Sequence, residues 1–521
     1  MTSRPARLSS LTLTLSALAL ALATAVCLAA VAPASAEPVP APLPADLMSA
    51  PAGRLGAEIV RHLNADAPAQ LRRWAPTILS RQMAEADQRA FIQGLVSTAA
   101  DSGGVDLLEA RPEGPQGELL LLTLKSRRSG KQALLVLTAD DAQAGTLRAA
   151  DFMPQDDPRP YAHWPAKLAT LAELPGVIEP VLAELVRTDD FAGCLAVSAG
   201  GRTVYETCRG LAERRHGTPV TGQTRFLIGS MGKMFTAVAV AQLVEAGQLS
   251  WQASVAELLP EYPDRDAARQ MTVWGLLHHT TGLGDFFVPE FFEHRERFED
   301  PADYLDLIAR QPRASAPGER WSYSNAGYVV LGRIIEKVSG ESYGDYLQRH
   351  VFAPAGMTSS GLDSLEDITP HLATGYFRDA PFAARWKANW MTLPFKGSPA
   401  GGGFSTSADL LRFADALQSG RLVKDTTLAR MFEDGVPAGP GRYAAGFGDR
   451  PAHGLRVRGH AGGAPGMSAN LAIVWETRAA VAVTSNLGPS DAVVMLSERL
   501  ADLLAASRLP APATPLSPAA P

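Results

Sequence analysis

The sequence predicts an α+β protein built from two successive units, and three observations lead there. Helical periodicity between residues 51 and 99 gives way to four strand-like runs that end near 153. Two further strand-like runs flank a glycine pair in "CLAVSAGGRTVYETC" (194–208), ahead of a long helical run, "FLIGSMGKMFTAVAVAQLVEAG" (226–247). Another strand-like run lies in "VRGHAGGAPGMSANLAIVW" (457–475). With 521 residues, 46% hydrophobic and 20% charged, the chain has room for two domains and the composition of an ordinary globular protein.

The elements follow in order. Arg4 and Arg7 precede the apolar "LTLTLSALALALATAVCLAA", and Ala34-Ser35-Ala36 supplies a small-x-small cleavage site. Residues 1–36 therefore read as a secretory signal peptide, which makes the protein periplasmic or secreted; an uncleaved N-terminal anchor is the alternative. Val26 stands before Cys27, where a lipoprotein site has a small residue. Residues 37–153 form the small α+β domain. It opens with a Pro/Ala-rich stretch and then places Leu55, Ile59, Val60 and Leu63 at helical spacing. "VDLLEA", "ELLLLTLKS", "KQALLVLT" and "TLRAADFM" are its strands, with a turn at Ser129-Gly130. "PQDDPRP" marks a linker over 154–164, the second domain spans 165–506, and 507–521 is a disordered Pro/Ala-rich tail.

Cys194 and Cys208 remain once the leader is removed. A three-residue loop of Gly200 to Arg202 would set them directly opposite one another, whereas a two-residue loop would shift the register and separate them. An oxidising compartment permits a cross-strand disulfide; two buried thiols are the other reading.

The net charge of −6 and the lack of a basic stripe argue against a nucleic-acid partner. The histidines include the pair His278-His279 but no H-E-x-x-H and no Cys/His cluster, so neither a metal nor a cofactor is expected. His278 and His279 end an apolar helix, where basic side chains suit the helix dipole.

Chemistry concentrates in the second domain. Ser230 stands at the start of the long helical run, and Lys233, three residues on, projects over the same face. The neighbours Met234, Phe235, Val238, Val240 and Leu243 imply burial, which lowers a lysine's pKa and lets it accept a proton from a hydroxyl. A plain helix N-cap is the competing role for Ser230. Tyr323-Ser324-Asn325 opens a later helix; a phenol near a lysine can exchange protons, and an amide can orient both the lysine and a substrate. A packing aromatic and a cap are the plain roles there. His460-Ala461-Gly462-Gly463 lies in a strand whose glycines permit close approach of a ligand and whose edge can pair with an extended substrate. "DFFVPEFFEHRERFED" (285–300) is either a lid or acyl-pocket wall, or an aromatic run packed back on the body.

In this order, Ser230-Met231-Gly232-Lys233, Tyr323-Ser324-Asn325 and His460-Ala461-Gly462 resemble the motifs of the serine β-lactamase and penicillin-binding-protein superfamily. The class C-like branch, with its esterase and peptidase relatives, matches best. The likeness covers about residues 180–505 and extends to "LLHHTTGL", "PGERWSYSNAGY" and "AGGGFSTSADLLRFADAL". It implies an antiparallel sheet flanked by helices plus a helical subdomain. It also implies an exported serine hydrolase that forms an acyl-enzyme on Ser230 from a small ester, amide or D-amino-acid peptide. Lys233 and Tyr323 would share the proton relay, and the backbone N–H groups of Ser230 and Gly463 would form the oxyanion hole. His460 would serve as the third-strand catalytic residue, able to supply a proton or a charge, with Asn325, Ala461 and Gly462 against the substrate. The preceding small domain resembles, in element order alone, the cystatin-like or nuclear transport factor 2-like modules found ahead of some exported serine hydrolases.

One departure directs the reading of substrate. A β-lactamase of this type has Lys-Thr-Gly on its third strand, where this chain has His460-Ala461-Gly462 and so lacks the lysine and hydroxyl that grip a carboxylate. That places an esterase ahead of a D-alanyl-D-alanine carboxypeptidase, a D-aminopeptidase or a β-lactamase. A non-catalytic sensor of peptides or peptidoglycan is the alternative class, which the complete set of Ser230, Lys233 and Tyr323 opposes. An α/β-hydrolase is disfavoured because Ile228 occupies a position where the G-x-S-x-G elbow requires glycine.

Overall fold

The computed structural model describes residues 51–83, 85–113, 119–140, 143, 145–155, 159–439 and 441–510. The expected signal peptide, residues 37–50 and the tail from 511 onward lie outside them.

The first unit packs three helices, Pro51–Ala65, Pro68–Trp74 and Glu85–Asp101, on a four-stranded antiparallel meander. Leu55, Ile59 and Leu63 of the first helix form its buried stripe and meet Leu120, Leu122, Leu135 and Leu137 of the sheet. Gly56 makes that approach possible: a Cβ there would stand 2.9 Å from the Leu122 side chain.

The second unit is organised by an eight-stranded antiparallel sheet. Its strands run in the order Val436–Ala438, Gly441–Ala444, Phe447–Ala452, Leu455–Ala464, Met467–Val474, Ala479–Ser485, Gly193–Ala199 and Arg202–Arg209. Three central strands are buried on both faces, so alternate residues feed two cores. Leu195, Val197, Val481 and Val483 point to helices Leu174–Arg187 and Asp491–Ser507. Ala196, Ala480 and Ala482 point to the other core, which holds the helices Gly232–Glu245, Asn325–Ser339 and Ser407–Gln418. The helix Gly232–Glu245 is apolar almost all round because other elements enclose it on every side. The helical subdomain is an insertion: the chain leaves the sheet after Arg209 and returns to it at Val436. Among the described residues, no helix is long and apolar enough to cross a membrane.

Two expectations change in detail. Cys194 and Cys208 are bridged, with Cα atoms 4.2 Å apart, but not through a three-residue loop. The loop has two residues, Gly200 and Gly201, and a bulge between Val197 and Ser198 restores the register that a short loop would have lost. The segment expected as a linker is packed in part where it is described, with Ala162 and His163 exposed. Pro154 and Gln155 end the last strand of the first sheet, and Tyr161 is buried with its ring 5.2 Å from that of Trp164. Two aromatic side chains within three residues carry more apolar surface than a solvated linker leaves exposed.

Candidate active site

Ser230 sits in a tight turn between sheet and helix. The short strand Phe226–Leu227 pairs with Phe404–Ser405, and a 3-10 turn over Gly229–Met231 leads into the helix Gly232–Glu245. The hydroxyl is not spent on a cap, since no side chain caps this helix. Gly229 adopts φ +50°, and a Cβ on it would press within 3.1 Å of the Gly463 nitrogen. A Cβ on Gly462 would stand 1.8 Å from the Ile228 carbonyl oxygen. These glycines therefore let the strand Leu455–Ala464 come against the serine turn, backbone to backbone. The strand pairs with its neighbour Phe447–Ala452 only as far as Gly459, so His460 to Ala464 carry no strand partner on that edge among the described residues.

Lys233 is completely buried. Its Nζ donates to the Asn325 Oδ1 at 2.8 Å and the Ala400 carbonyl at 2.6 Å, and lies 3.3 Å from Ser230 Oγ. Burial lowers its pKa to about 7, against a raising effect from Asp285. The ammonium form is also held over the Tyr323 ring, whose centroid is 4.7 Å away.

Asn325 is not the cap of its helix, because Ser324 Oγ takes that place by accepting from the Gly327 N–H. The amide is used twice within the protein: Oδ1 accepts from Lys233, and Nδ2 donates to Asp285 Oδ2 at 2.8 Å. One amide hydrogen is left for a substrate. Tyr323 holds its hydroxyl buried with no hydrogen-bond partner of good geometry. Burial pushes the phenol above its ordinary pKa, while the nearby Ser230 hydroxyl pulls the other way.

His460 has a different character from the one expected. Its Nδ1 lies 2.5 Å from the Ala461 carbonyl, which can only accept, and its Nε2 lies 3.0 Å from the Tyr443 hydroxyl. Nδ1 therefore carries the proton and Nε2 accepts from Tyr443. Burial and the Lys233 charge lower its pKa to about 3, so the ring is neutral. Both ring nitrogens are thus engaged within the protein, and the ring carries no charge. Ala461 and Gly462 lie on the strand edge as expected, and Ala461 contributes its carbonyl to His460.

The histidine pair is also neutral. Burial lowers His278 to about 4 and holds His279 well below its ordinary value, so neither acts as a cation on the helix dipole. His279 instead accepts the Ser324 N–H through Nδ1 and stacks 4.4 Å from Tyr323, fixing the segment that presents Tyr323. The phenylalanine run packs back on the body: Phe286, Phe291 and Phe298 enter the main core beside Tyr304, and only Phe287 and Phe292 remain half-buried.

Three contributors were not singled out from the sequence: Asp285, Ala400 and Tyr443. The signal for Asp285 was present, since it is a single acid inside the apolar "GLGDFFV". Ala400 acts through its carbonyl, and Tyr443 from a strand two places away in the sheet, so neither leaves a local mark.

A sequence profile of the family described as Beta-lactamase matches residues 178–506. The chain belongs to the beta-lactamase family. Within it, the chain is 31% identical over 261 residues to "Penicillin-binding protein 4" of Amycolatopsis lactamdurans, covering 49% of this chain and 64% of that one. It is 32% identical over 209 residues to "Esterase EstB" of Burkholderia gladioli, covering 37% of this chain and 53% of that one. Both alignments thus span less than two thirds of those relatives. Among solved structures, D-amino acid amidase of Ochrobactrum anthropi SV3, complexed with L-phenylalanine amide, superposes with a TM-score of 0.56 at 27% identity. That match covers 64% of this chain and 98% of the amidase. The beta-lactamase family match contains the Ser230, Tyr323 and His460 stretches and begins beyond the first unit.

Proposed function

We propose that this protein is an exported serine hydrolase that forms an acyl-enzyme on Ser230 from a small ester or amide. One observation carries the reading. Two of the three polar partners of Lys233 Nζ, the Asn325 amide oxygen and the Ala400 carbonyl, can only accept, and the third is the Ser230 hydroxyl. A neutral amine has two hydrogens and one lone pair. The two acceptors take the hydrogens, which turns the lone pair to Ser230. Burial supplies the neutral form near pH 7.

The steps follow. Lys233 takes the Ser230 proton as Oγ bonds to the substrate carbonyl carbon. The oxyanion is received by the N–H groups of Ser230 and Gly463, close to the start of a helix that also favours negative charge. Collapse breaks the bond to the alcohol or amine, which leaves with a proton. With its pKa raised, Tyr323 keeps its proton and serves as an O–H donor that passes it to the leaving group and recovers one from Lys233. Water then adds to the acyl carbonyl, losing its proton to the same network, which returns it to Ser230 Oγ as the bond between Oγ and the acyl carbon breaks and the acid departs.

An ester is favoured because the third strand offers a substrate carboxylate no cation: His460 is neutral with both nitrogens engaged, and Ala461 has no side-chain donor. A D-amino-acid amide or peptide is the second reading, favoured by the likeness to D-amino acid amidase along 98% of that chain. The leader at 1–36 supports export. The test compares p-nitrophenyl butyrate with D-phenylalanine amide on the parent and Ser230→Ala. Ester turnover above amide turnover, lost in Ser230→Ala, is expected; turnover that survives Ser230→Ala overturns the assigned nucleophile.

A further inference from the structure

The first unit grips a strap of the second, and that strap ends under the turn beside Gly463. Phe382 is buried in the core of the first unit and is the one residue beyond 152 in that cluster among the described residues. Next to it, the Ala384 N–H donates to Asp101 Oδ2 at 3.0 Å, at the end of the helix Glu85–Asp101. Gly94 of that helix faces Phe152 and, at 4.0 Å from an ideal Cβ, the Ala380 methyl. Lys131, in the turn before the strand Gln132–Ala139 of the first sheet, reaches across to Asp190 at 2.5 Å. The neighbouring Asp189 accepts from Arg378 at 3.1 Å and from the Trp386 indole N–H, and Arg378 lies 4.1 Å over the Trp386 ring. The ends of the strap, residues 378–386, are thus tied to Asp189 within the second unit, and the first unit holds its middle through Ala380, Phe382 and Ala384.

The strap runs directly into Asn389, which is 1% exposed. Its Nδ2 donates to the Pro465 carbonyl at 3.0 Å, and its backbone N–H donates to the Gly375 carbonyl at 3.0 Å. The fit is close: a Cβ on Gly375 would fall 2.3 Å from Asn389 Nδ2, and one on Gly466 2.6 Å from it. Pro465-Gly466 is the two-residue connection between the strand that carries Gly463 and its partner Met467–Val474. Proline followed by a glycine at φ +75° is the pattern of a type II turn, which matches the twist of a hairpin less well than the primed turns. Such a turn benefits from an external hold, and Asn389 provides one.

We propose that the first unit is a built-in brace for the oxyanion hole: it anchors the 378–389 strap so that Asn389 fixes the Pro465-Gly466 turn and, two residues before it, the N–H of Gly463. Asn389 is a positioning residue and does not touch the reacting atoms. The proposal rests on the reading of Gly463 as an oxyanion donor.

The test uses the full chain and two readouts: hydrogen exchange of the segments 380–386 and 462–468, and kcat and KM on p-nitrophenyl butyrate. Phe382→Ala releases the strap from the core of the first unit. Asp101→Ala removes only the acceptor of the Ala384 N–H and serves if Phe382→Ala unfolds that unit. Each is expected to speed exchange in 462–468 and to lower kcat about tenfold at unchanged KM, short of the roughly 100-fold or greater loss that follows removal of an oxyanion donor. Asn389→Ala is expected to do the same, and adding Phe382→Ala to it to cost nothing further. Faster exchange in 380–386 with parental exchange in 462–468 overturns the brace. Exchange is measured without substrate, so a failure of the Ser230 reading shows separately, as turnover that survives Ser230→Ala.

Discussion

Lys233 Nζ lies 3.3 Å from Ser230 Oγ, the longest of its three polar contacts. The two shorter ones go to oxygens that cannot donate. The weakest contact is therefore the one through which a proton can move toward the lysine.

The first prediction concerns pH. A base must be unprotonated, and burial sets the Lys233 pKa at about 7. The neutral fraction grows as pH rises through that value. kcat/KM for an ester is expected to rise with pH along an acid limb whose midpoint is near 7, and then to level off. A stopped-flow or plate profile from pH 5 to about 9 checks it.

Asp285 adjusts that midpoint. Its carboxylate stabilises the Lys233 ammonium and also holds the Asn325 amide with its oxygen toward the lysine. Asp285→Asn removes the charge, so the lysine loses its proton more easily. The acid limb is expected to move about one pH unit lower, an effect of the size a neighbouring charge has on a buried group. The other groups around Lys233 are His279, His460, Tyr323 and Tyr328; Lys233 itself lowers both histidines, and they stay neutral across this range.

The serine turn and the third strand meet through glycine. Gly462→Ala would place a methyl 1.8 Å from the Ile228 carbonyl oxygen and force the strand away. kcat/KM is expected to fall about 100-fold, as when an oxyanion donor is lost, with native far-UV circular dichroism.

Tyr323 is expected to matter in proportion to the leaving group. Tyr323→Phe removes the proton donor, and a methyl ester, whose alkoxide needs that proton, is expected to lose about 100-fold or more in kcat. A p-nitrophenyl ester, whose leaving group departs unprotonated, is expected to lose much less. Parallel kinetics on the two esters check the difference.

The disulfide closes a short loop, with a sequence separation of 14. Cys194→Ser with Cys208→Ser is expected to cost about 3 kcal/mol of stability by the chain-entropy account. The urea midpoint measures it, and activity at low temperature is expected to remain.

Much of this was legible in the sequence where the information is local. Ser230 and Lys233 share one turn of helix, and the stripe of Leu55, Ile59 and Leu63 announced the first helix. What packing creates was not legible. His460 looked able to supply a proton until Tyr443, on a strand two places away in the sheet, occupied its second nitrogen. The His278-His279 pair looked cationic because its burial depends on elements far along the chain. The cysteine register was foreseen through the wrong loop, because a bulge leaves no mark in an alternating pattern.

The central claim, that a neutral Lys233 activates Ser230, is tested most directly by the rate of covalent labelling as a function of pH. A fluorophosphonate probe is mixed with the full chain, and the adduct is followed by intact mass and located by peptide mapping. An adduct on Ser230 is expected that forms faster as pH rises, with a midpoint near 7, at a rate lowered at least about 100-fold in Lys233→Arg, which keeps the charge at every pH used. Labelling of Ser230 at a rate independent of pH, and equal in Lys233→Arg, would contradict it.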